Sequence, residues 1–212
     1  MNADAGAGPR PERELAFWFD FASTYSYIAA MRIEALCERE HVTLRWVPFL
    51  LGPIFQLQGW NDSPFNINKL RGDYMWTDIA RLAAKYDLPW ARPAKFPRAS
   101  TLAARVACSI ASEPWCGDFV RSIFIANFGA DRDIGDPTVI ADVISRLGRP
   151  AAEVLDRACD EDHRGLLRAN TDRAMKIGIF GAPNCVVNGE LFWGEETLED
   201  AIAWVKSDVA RS

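Results

Sequence analysis

The chain has 212 residues, of which 24 are basic and 29 acidic, giving a formal net charge of −5, and 49% of its residues are hydrophobic. That is enough chain to bury one sizeable core, and the composition is globular rather than disordered. The acidic balance and the lack of any run of five or more like charges argue against a nucleic-acid surface; no apolar stretch approaches the roughly 20 residues that span a bilayer.

Residues 1–14 are rich in Ala, Gly, Pro and charge and are expected to form a flexible tail. They lack the basic start and apolar core of a signal peptide, so the expected compartment is the cytoplasm. The aromatic-rich segment 15–21 predicts a strand. From Tyr25 onward Ile28, Ala29, Met31, Ile33, Ala35 and Leu36 take helical spacing, predicting a helix over 24–39. Val42 to Phe49 alternates like a second strand. Gly52 to Pro64, with Gly59, Trp60, Asn61 and Asp62, reads as a long loop, a feature often tied to function.

A helical block follows. Helices are expected over Lys69 to Tyr86, Ser100 to Ala111 and Trp115 to Phe128, then after Asp136-Pro137 and over Ala151 to Cys159, with proline near several helix starts. Leu166 to Gly178 closes the series, with Gly178 as a stop. Cys185 to Val187 and Leu191 to Trp193 then read as two strands joined by Asn188-Gly189, a strong hairpin signal. Pro183, just before the first of them, is a candidate cis-proline. A final helix is expected over Glu196 to Val209. The order predicts an α/β protein: residues 15–50 and 166–212 form one domain, and residues 51–165 an all-helical insertion.

The five cysteines, Cys37, Cys108, Cys116, Cys159 and Cys185, are odd in number and form no Cys-x-x-Cys pair, so free thiols are expected. His41 and His163 do not sit in a metal-ligand pattern. His41 lies 18 residues from Ser23 along the first helix, about 25 Å away at ~1.5 Å per residue, and His163 sits in a charged run, so a Ser-His-Asp triad is not expected. Thiol–disulfide exchange needs a cysteine thiolate, which Ser23 and Ser26 do not supply. Ser23 falls at the helix N-cap or beside it, where free N–H groups and the helix dipole favour an anion. It is either an ordinary cap or a hydroxyl that donates a charge-assisted hydrogen bond to a thiolate arriving on a cofactor.

Phe19-Asp20-Phe21-Ala22-Ser23-Thr24-Tyr25-Ser26-Tyr27, then Phe180-Gly181-Ala182-Pro183, then Trp193-Gly194-Glu195-Glu196-Thr197, carry a family resemblance. With Arg71-Gly72-Asp73-Tyr74-Met75, Asp78 and Arg81 between them, they resemble 2-hydroxychromene-2-carboxylate isomerases, which sit beside kappa-class glutathione transferases in the DsbA-like branch of the thioredoxin fold. The likeness covers roughly residues 15 to 206. Thr24 stands where that family usually has proline, Ala182 where it has valine, and Glu196-Thr197 where it has an Asp-Arg pair.

The resemblance implies a thioredoxin-like domain interrupted by the helical insertion, with Ser23 facing Pro183 at one end of the sheet. It implies a glutathione-dependent isomerase in which Ser23 holds the glutathione thiolate. Ala182, before Pro183, would pair with the tripeptide backbone, and Glu196, or Glu195 beside it, would meet the glutamyl amine. The carboxylates would meet helix N-terminal N–H groups after Gly194 and a cation such as Lys69 or Arg71. Tyr25, Trp60, Trp76, Phe96 and Trp193 would line a pocket for a small aromatic substrate. The alternatives are dipole stabilisation for Glu195 and Glu196, a solvated helix face for Lys69 and Arg71, and core packing for the aromatics. A homodimer is expected by analogy. A kappa-like transferase and a non-catalytic binding module of the same fold are the other readings.

Overall fold

A computed structural model describes residues 13–207. Its sheet has the order β2-β1-β3-β4. The central strand β1 (Glu14–Phe19) runs parallel to β2 (Thr43–Pro48) and antiparallel to β3 (Asn184–Val187), which pairs with β4 (Glu190–Trp193). Between β1 and β2 lies α1 (Thr24–Arg39). Residues 1–12 of the expected tail lie outside the described residues, as does the end of the expected last helix; Glu14 already belongs to β1.

A strand's side chains alternate between faces, and β1 uses both. Leu15, Phe17 and Phe19 enter the larger core beside α1. Ala16 and Trp18 enter a smaller one with Val47, Phe49, Ile54, Ala174 and Ile179. β1 ends at Phe19 rather than Phe21 because the Asp20 carboxylate accepts the Ala22 N–H at 2.9 Å and turns the chain. The hairpin turns on Asn188 and Gly189, both at positive φ (50° and 88°), the backbone that a type I′ turn requires.

Between β2 and β3 the chain is helical. α2 (Leu51–Leu57) forms in the segment expected to be a loop, and α3 (Pro64–Ile67) begins at its last residue. Gly52 and Pro53 fall in the first turn of α2, where a proline's missing N–H has no intrahelical acceptor to lose. Next come α4 (Lys69–Lys85), α5 (Thr101–Ser109) and α6 (Cys116–Phe124), the last passing into a π-turn over Ile125–Gly129 where one uninterrupted helix was expected. α7 (Pro137–Arg146) begins at an Asp136 cap and α8 (Ala151–Cys159) follows Pro150. α9 (Glu161–Lys176) starts before the expected Leu166, because Asp160 caps the His163 N–H at 2.9 Å. After β4 a 3-10 turn, Glu195–Thr197, leads into α10 (Leu198–Lys206).

The helical block shares its core with the sheet. Phe17, Phe19, Phe21, Phe119, Phe124 and Phe128 are fully buried in one apolar cluster that also takes in α10. The rings of Phe19 and Phe21 are 5.2 Å apart, and those of Phe21 and Phe124 5.0 Å, in tilted and edge contacts. Aromatic pairs at such separations add to the stabilisation from burial alone. Phe21 meets both Phe119 and Phe124 of the inserted helices, so Phe21→Ala should cost about 3–5 kcal/mol, lowering Tm by roughly 6–20 °C for a chain of this size. Far-UV circular dichroism and tryptophan fluorescence should still follow one transition; two separated transitions in the parent protein would show that block and sheet unfold independently.

Candidate active site

Ser23 caps α1 with extended backbone (φ −88°, ψ 121°). Its hydroxyl accepts the Ser26 N–H at 3.1 Å and donates to the Ala182 carbonyl at 3.2 Å, across 159 positions of sequence. The Ala182–Pro183 bond is cis, and the Pro183 carbonyl accepts the Gly194 N–H at 3.1 Å. Thus the start of α1, the segment before β3 and the end of β4 meet at one edge of the sheet. The N–H groups of Thr24 and Tyr25 open α1 and have no acceptor within the helix.

Ser23, 8% exposed, lines a cavity of about 1040 Å³. Of the residues proposed from sequence, the cavity is lined by Ser23, Tyr25, Trp60, Arg71, Phe96, Ala182, Pro183, Trp193, Glu195 and Glu196. Lys69 and Trp76 are not on its wall. Lys69 points into solvent with its side chain 85% exposed and pairs with Asp73 at 2.6 Å, one helical turn on. Trp76 packs behind the wall: its ring lies 4.9 Å from Phe96 and 6.1 Å from Trp90, with the Arg92 guanidinium over it. Its contact with Phe96 places it one layer behind the cavity lining.

The two adjacent glutamates differ. Glu195 is held at 2.6 Å by Arg32, both side chains nearly buried; burial raises its pKa and the Arg32 guanidinium opposes the rise. Glu196 is exposed and makes no ion pair among the described residues. Its carboxylate folds over Gly194, whose φ of 105° and lack of a Cβ leave it room. Arg71 also lines the cavity, and among the described residues its guanidinium forms no ion pair. Tyr25 donates to Asp78 at 3.1 Å, and burial followed by the Asp78 charge raises its pKa. It therefore stays a neutral donor at any working pH.

Several residues of the site were not assigned from sequence. Asp20, between Phe19 and Phe21, is buried on the cavity wall; burial raises its pKa against the hydrogen bonds from Ala22, Leu51 and Ser100. Asn127, in the π-turn, donates to the Phe21 carbonyl at 2.9 Å and accepts from Arg98 at 3.1 Å. Arg98, buried, also donates to the carbonyls of Arg132 and Asp131 and pairs with the Asp131 carboxylate. For Asp20 and Asn127 the signal was a lone polar side chain inside an apolar run. Ser100 and Arg98 carry no such mark.

No cysteine lines the cavity. Burial pushes the thiols of Cys37, Cys108 and Cys116 up to about 12 and raises that of Cys185 as well. Among the described residues no group of His, Cys, Asp and Glu is arranged to hold a metal ion, and no helix is long and apolar enough to cross a membrane.

A helix start facing a cis-proline across the end of a mixed four-stranded sheet defines the thioredoxin class of fold. The chain belongs to the DSBA-like thioredoxin domain family, whose model matches residues 14–203. It is 26% identical over 190 residues to the 2-hydroxychromene-2-carboxylate isomerase of Sphingobium xenophagum, covering 88% of this chain and 95% of that one. It is 23% identical over 176 residues to glutathione S-transferase kappa 1 of Caenorhabditis elegans, covering 79% and 77%. Among solved structures, a 2-hydroxychromene-2-carboxylate isomerase superposes with a TM-score of 0.81 at 24% identity, over 93% of this chain and 98% of that one. The cytosolic disulfide reductase DsbM of Pseudomonas aeruginosa, solved with GSH, gives a TM-score of 0.65 at 16% identity, over 92% and 98%; both likenesses establish the shared fold.

Thiol reactivity tests this description. In the native protein the exposed Cys159 should react rapidly with a disulfide reagent, and all five thiols only after denaturation. Fast labelling of a second native thiol would contradict the burial. Because the buried thiols hold their protons more tightly folded than unfolded, they add stability below the ordinary thiol pKa of 9.0. That contribution declines as pH rises from there toward 12.

Proposed function

We propose that this protein is a glutathione-dependent isomerase acting on 2-hydroxychromene-2-carboxylate or a similar intermediate of aromatic degradation. The carrying observation is the Ser23 hydroxyl at the α1 N-terminus, facing Ala182 and cis-Pro183 in a cysteine-free cavity. Relatives named for this isomerase at 26% and 27% identity, in Sphingobium xenophagum and Pseudomonas putida, support the reaction. The transferase kappa relative and the GSH-bound reductase support the cofactor.

The residues fit a thiol tripeptide. Ser23 offers a hydroxyl already polarised by the Ser26 N–H, and the first amides of α1 favour a thiolate. To meet the sulfur, the hydroxyl turns away from the Ala182 carbonyl, and that carbonyl becomes free to accept a backbone N–H of an extended ligand. Glu196 is the free acid for the glutamyl amine, since Glu195 is occupied by Arg32. Arg71 is the cation for a carboxylate. Phe96, Trp60 and Trp193 offer ring faces to an aromatic substrate. When bound, glutathione supplies a thiolate that adds reversibly to a conjugated double bond, so that the bond can rotate before the thiolate leaves. The protein stabilises that thiolate and shields it from water; its preorganised donors are the main catalytic asset.

A kappa-like glutathione transferase is the second reading, favoured by the Caenorhabditis elegans relative. Recovery of a glutathione conjugate as the end product would select it over isomerisation. A cytoplasmic homodimer is part of the proposal, and sedimentation at micromolar concentration tests the dimer.

Ser23→Ala removes one hydrogen bond to an anion, worth roughly 1.5–3 kcal/mol, so isomerisation should slow by about 10- to 150-fold. It should recover partly at higher pH, where glutathione ionises unaided. Loss of all turnover at every pH would make Ser23 a covalent nucleophile; no change would leave it a helix cap. Glu196→Ala should weaken glutathione binding by about 10-fold in calorimetry, whereas unchanged affinity would return Glu196 to a dipole role.

A further inference from the structure

The Asp20 carboxylate sits where three segments of the cavity wall meet, and the proposed chemistry gives it no part. It follows the central strand and is 3% exposed. One oxygen accepts the Ala22 N–H at 2.9 Å and the Ser100 hydroxyl at 2.7 Å; the other accepts the Leu51 N–H at 2.8 Å. Ala22 leads into α1, Leu51 opens α2, and Ser100 precedes α5. The Asp20 carbonyl also accepts the Ser23 N–H at 2.9 Å. No cation is among its hydrogen-bonding partners. A carboxylate between two phenylalanines is costly to bury, and these three donors are what make it tolerable. Asparagine would not replace it, because its single carbonyl oxygen cannot serve both sides and its NH2 would face an N–H.

We infer that Asp20 is a positioning residue: it locks the turn before Ser23 against the starts of α2 and α5, which sets where the Ser23 hydroxyl and the first α1 amides point. The inference rests on the glutathione site proposed above. Misplacing a reacting group by about 1 Å costs on the order of 100-fold in rate, and among the described residues Asp20 is the side chain that bonds all three segments.

The test uses the full chain with glutathione, and reads the thiol pKa of the bound tripeptide by ultraviolet thiolate absorbance beside the isomerisation rate. Asp20→Asn should raise that thiol pKa toward the value of free glutathione and lower kcat roughly 10- to 100-fold, with KM for glutathione near the parent value. Ser100→Ala, which removes a single donor and keeps the carboxylate, should move both in the same direction by about 2- to 10-fold; it carries the test if Asp20→Asn does not fold. In a Ser23→Ala background Asp20→Asn should cost less than it does in the parent protein, because the hydroxyl it positions is gone and only the α1 amides remain. An unchanged thiol pKa in folded Asp20→Asn and Ser100→Ala, or fully additive losses with Ser23→Ala, overturns the inference and leaves the cofactor reading standing. Absence of thiolate absorbance in the parent protein at saturating glutathione overturns both.

Discussion

The hydrogen bond from the Ser23 hydroxyl to the Ala182 carbonyl joins the two halves of the chain at the point where the site is built. It exists because β1 is central: its pairing with β2 on one edge and β3 on the other brings the start of α1 beside the segment that enters β3. Every other feature of the site hangs on that juncture. The cavity opens beside it, α2 and α5 start around it, and the Gly194 N–H completes it from β4. A helix terminus there offers unpaired N–H groups to whatever enters.

Two buried polar side chains hold the juncture. Asp20 gathers donors from in front, and Asn127 reaches the Phe21 carbonyl from behind, with Arg98 on its far side. Both are buried, Asp20 at 3% and Asn127 at 1% exposure. An apolar environment makes each of these bonds electrostatically stronger and makes any unpaired member costly, so the turn has little freedom to adopt another geometry. The π-turn that carries Asn127 is a local departure from regular helix of the kind often found at functional sites.

The division of labour between the glutamates shows how packing alters chemistry. Glu195 and Glu196 are adjacent and chemically alike. The 3-10 turn sends Glu195 inward to Arg32 and leaves Glu196 over Gly194 at the cavity. Burial and pairing occupy the first; the second lines the cavity and makes no ion pair among the described residues. Likewise Lys69 and Arg71 are two residues apart on α4, and only Arg71 faces the cavity, since residues two apart on a helix lie on different faces.

Local patterns alone determined much of this protein: the aromatic strand followed by helical spacing at Tyr25, the cap at Ser23, the Asn188-Gly189 hairpin, and the proline-opened helices. Each depends on interactions within a few residues, which is why a single sequence displays them. Spacing could not separate Glu195 from Glu196 or Arg71 from Lys69, nor place Trp76 behind Phe96, because those outcomes depend on which element packs on which. Gly52 and Pro53 read as loop residues, yet they sit in the first turn of a helix whose opening N–H the distant Asp20 accepts. Asp20 stood in plain view within the first strand's aromatic run, but its three donors come from positions 22, 51 and 100. Only the tertiary structure brings them together, because a buried carboxylate is satisfied by whichever donors the fold delivers to it.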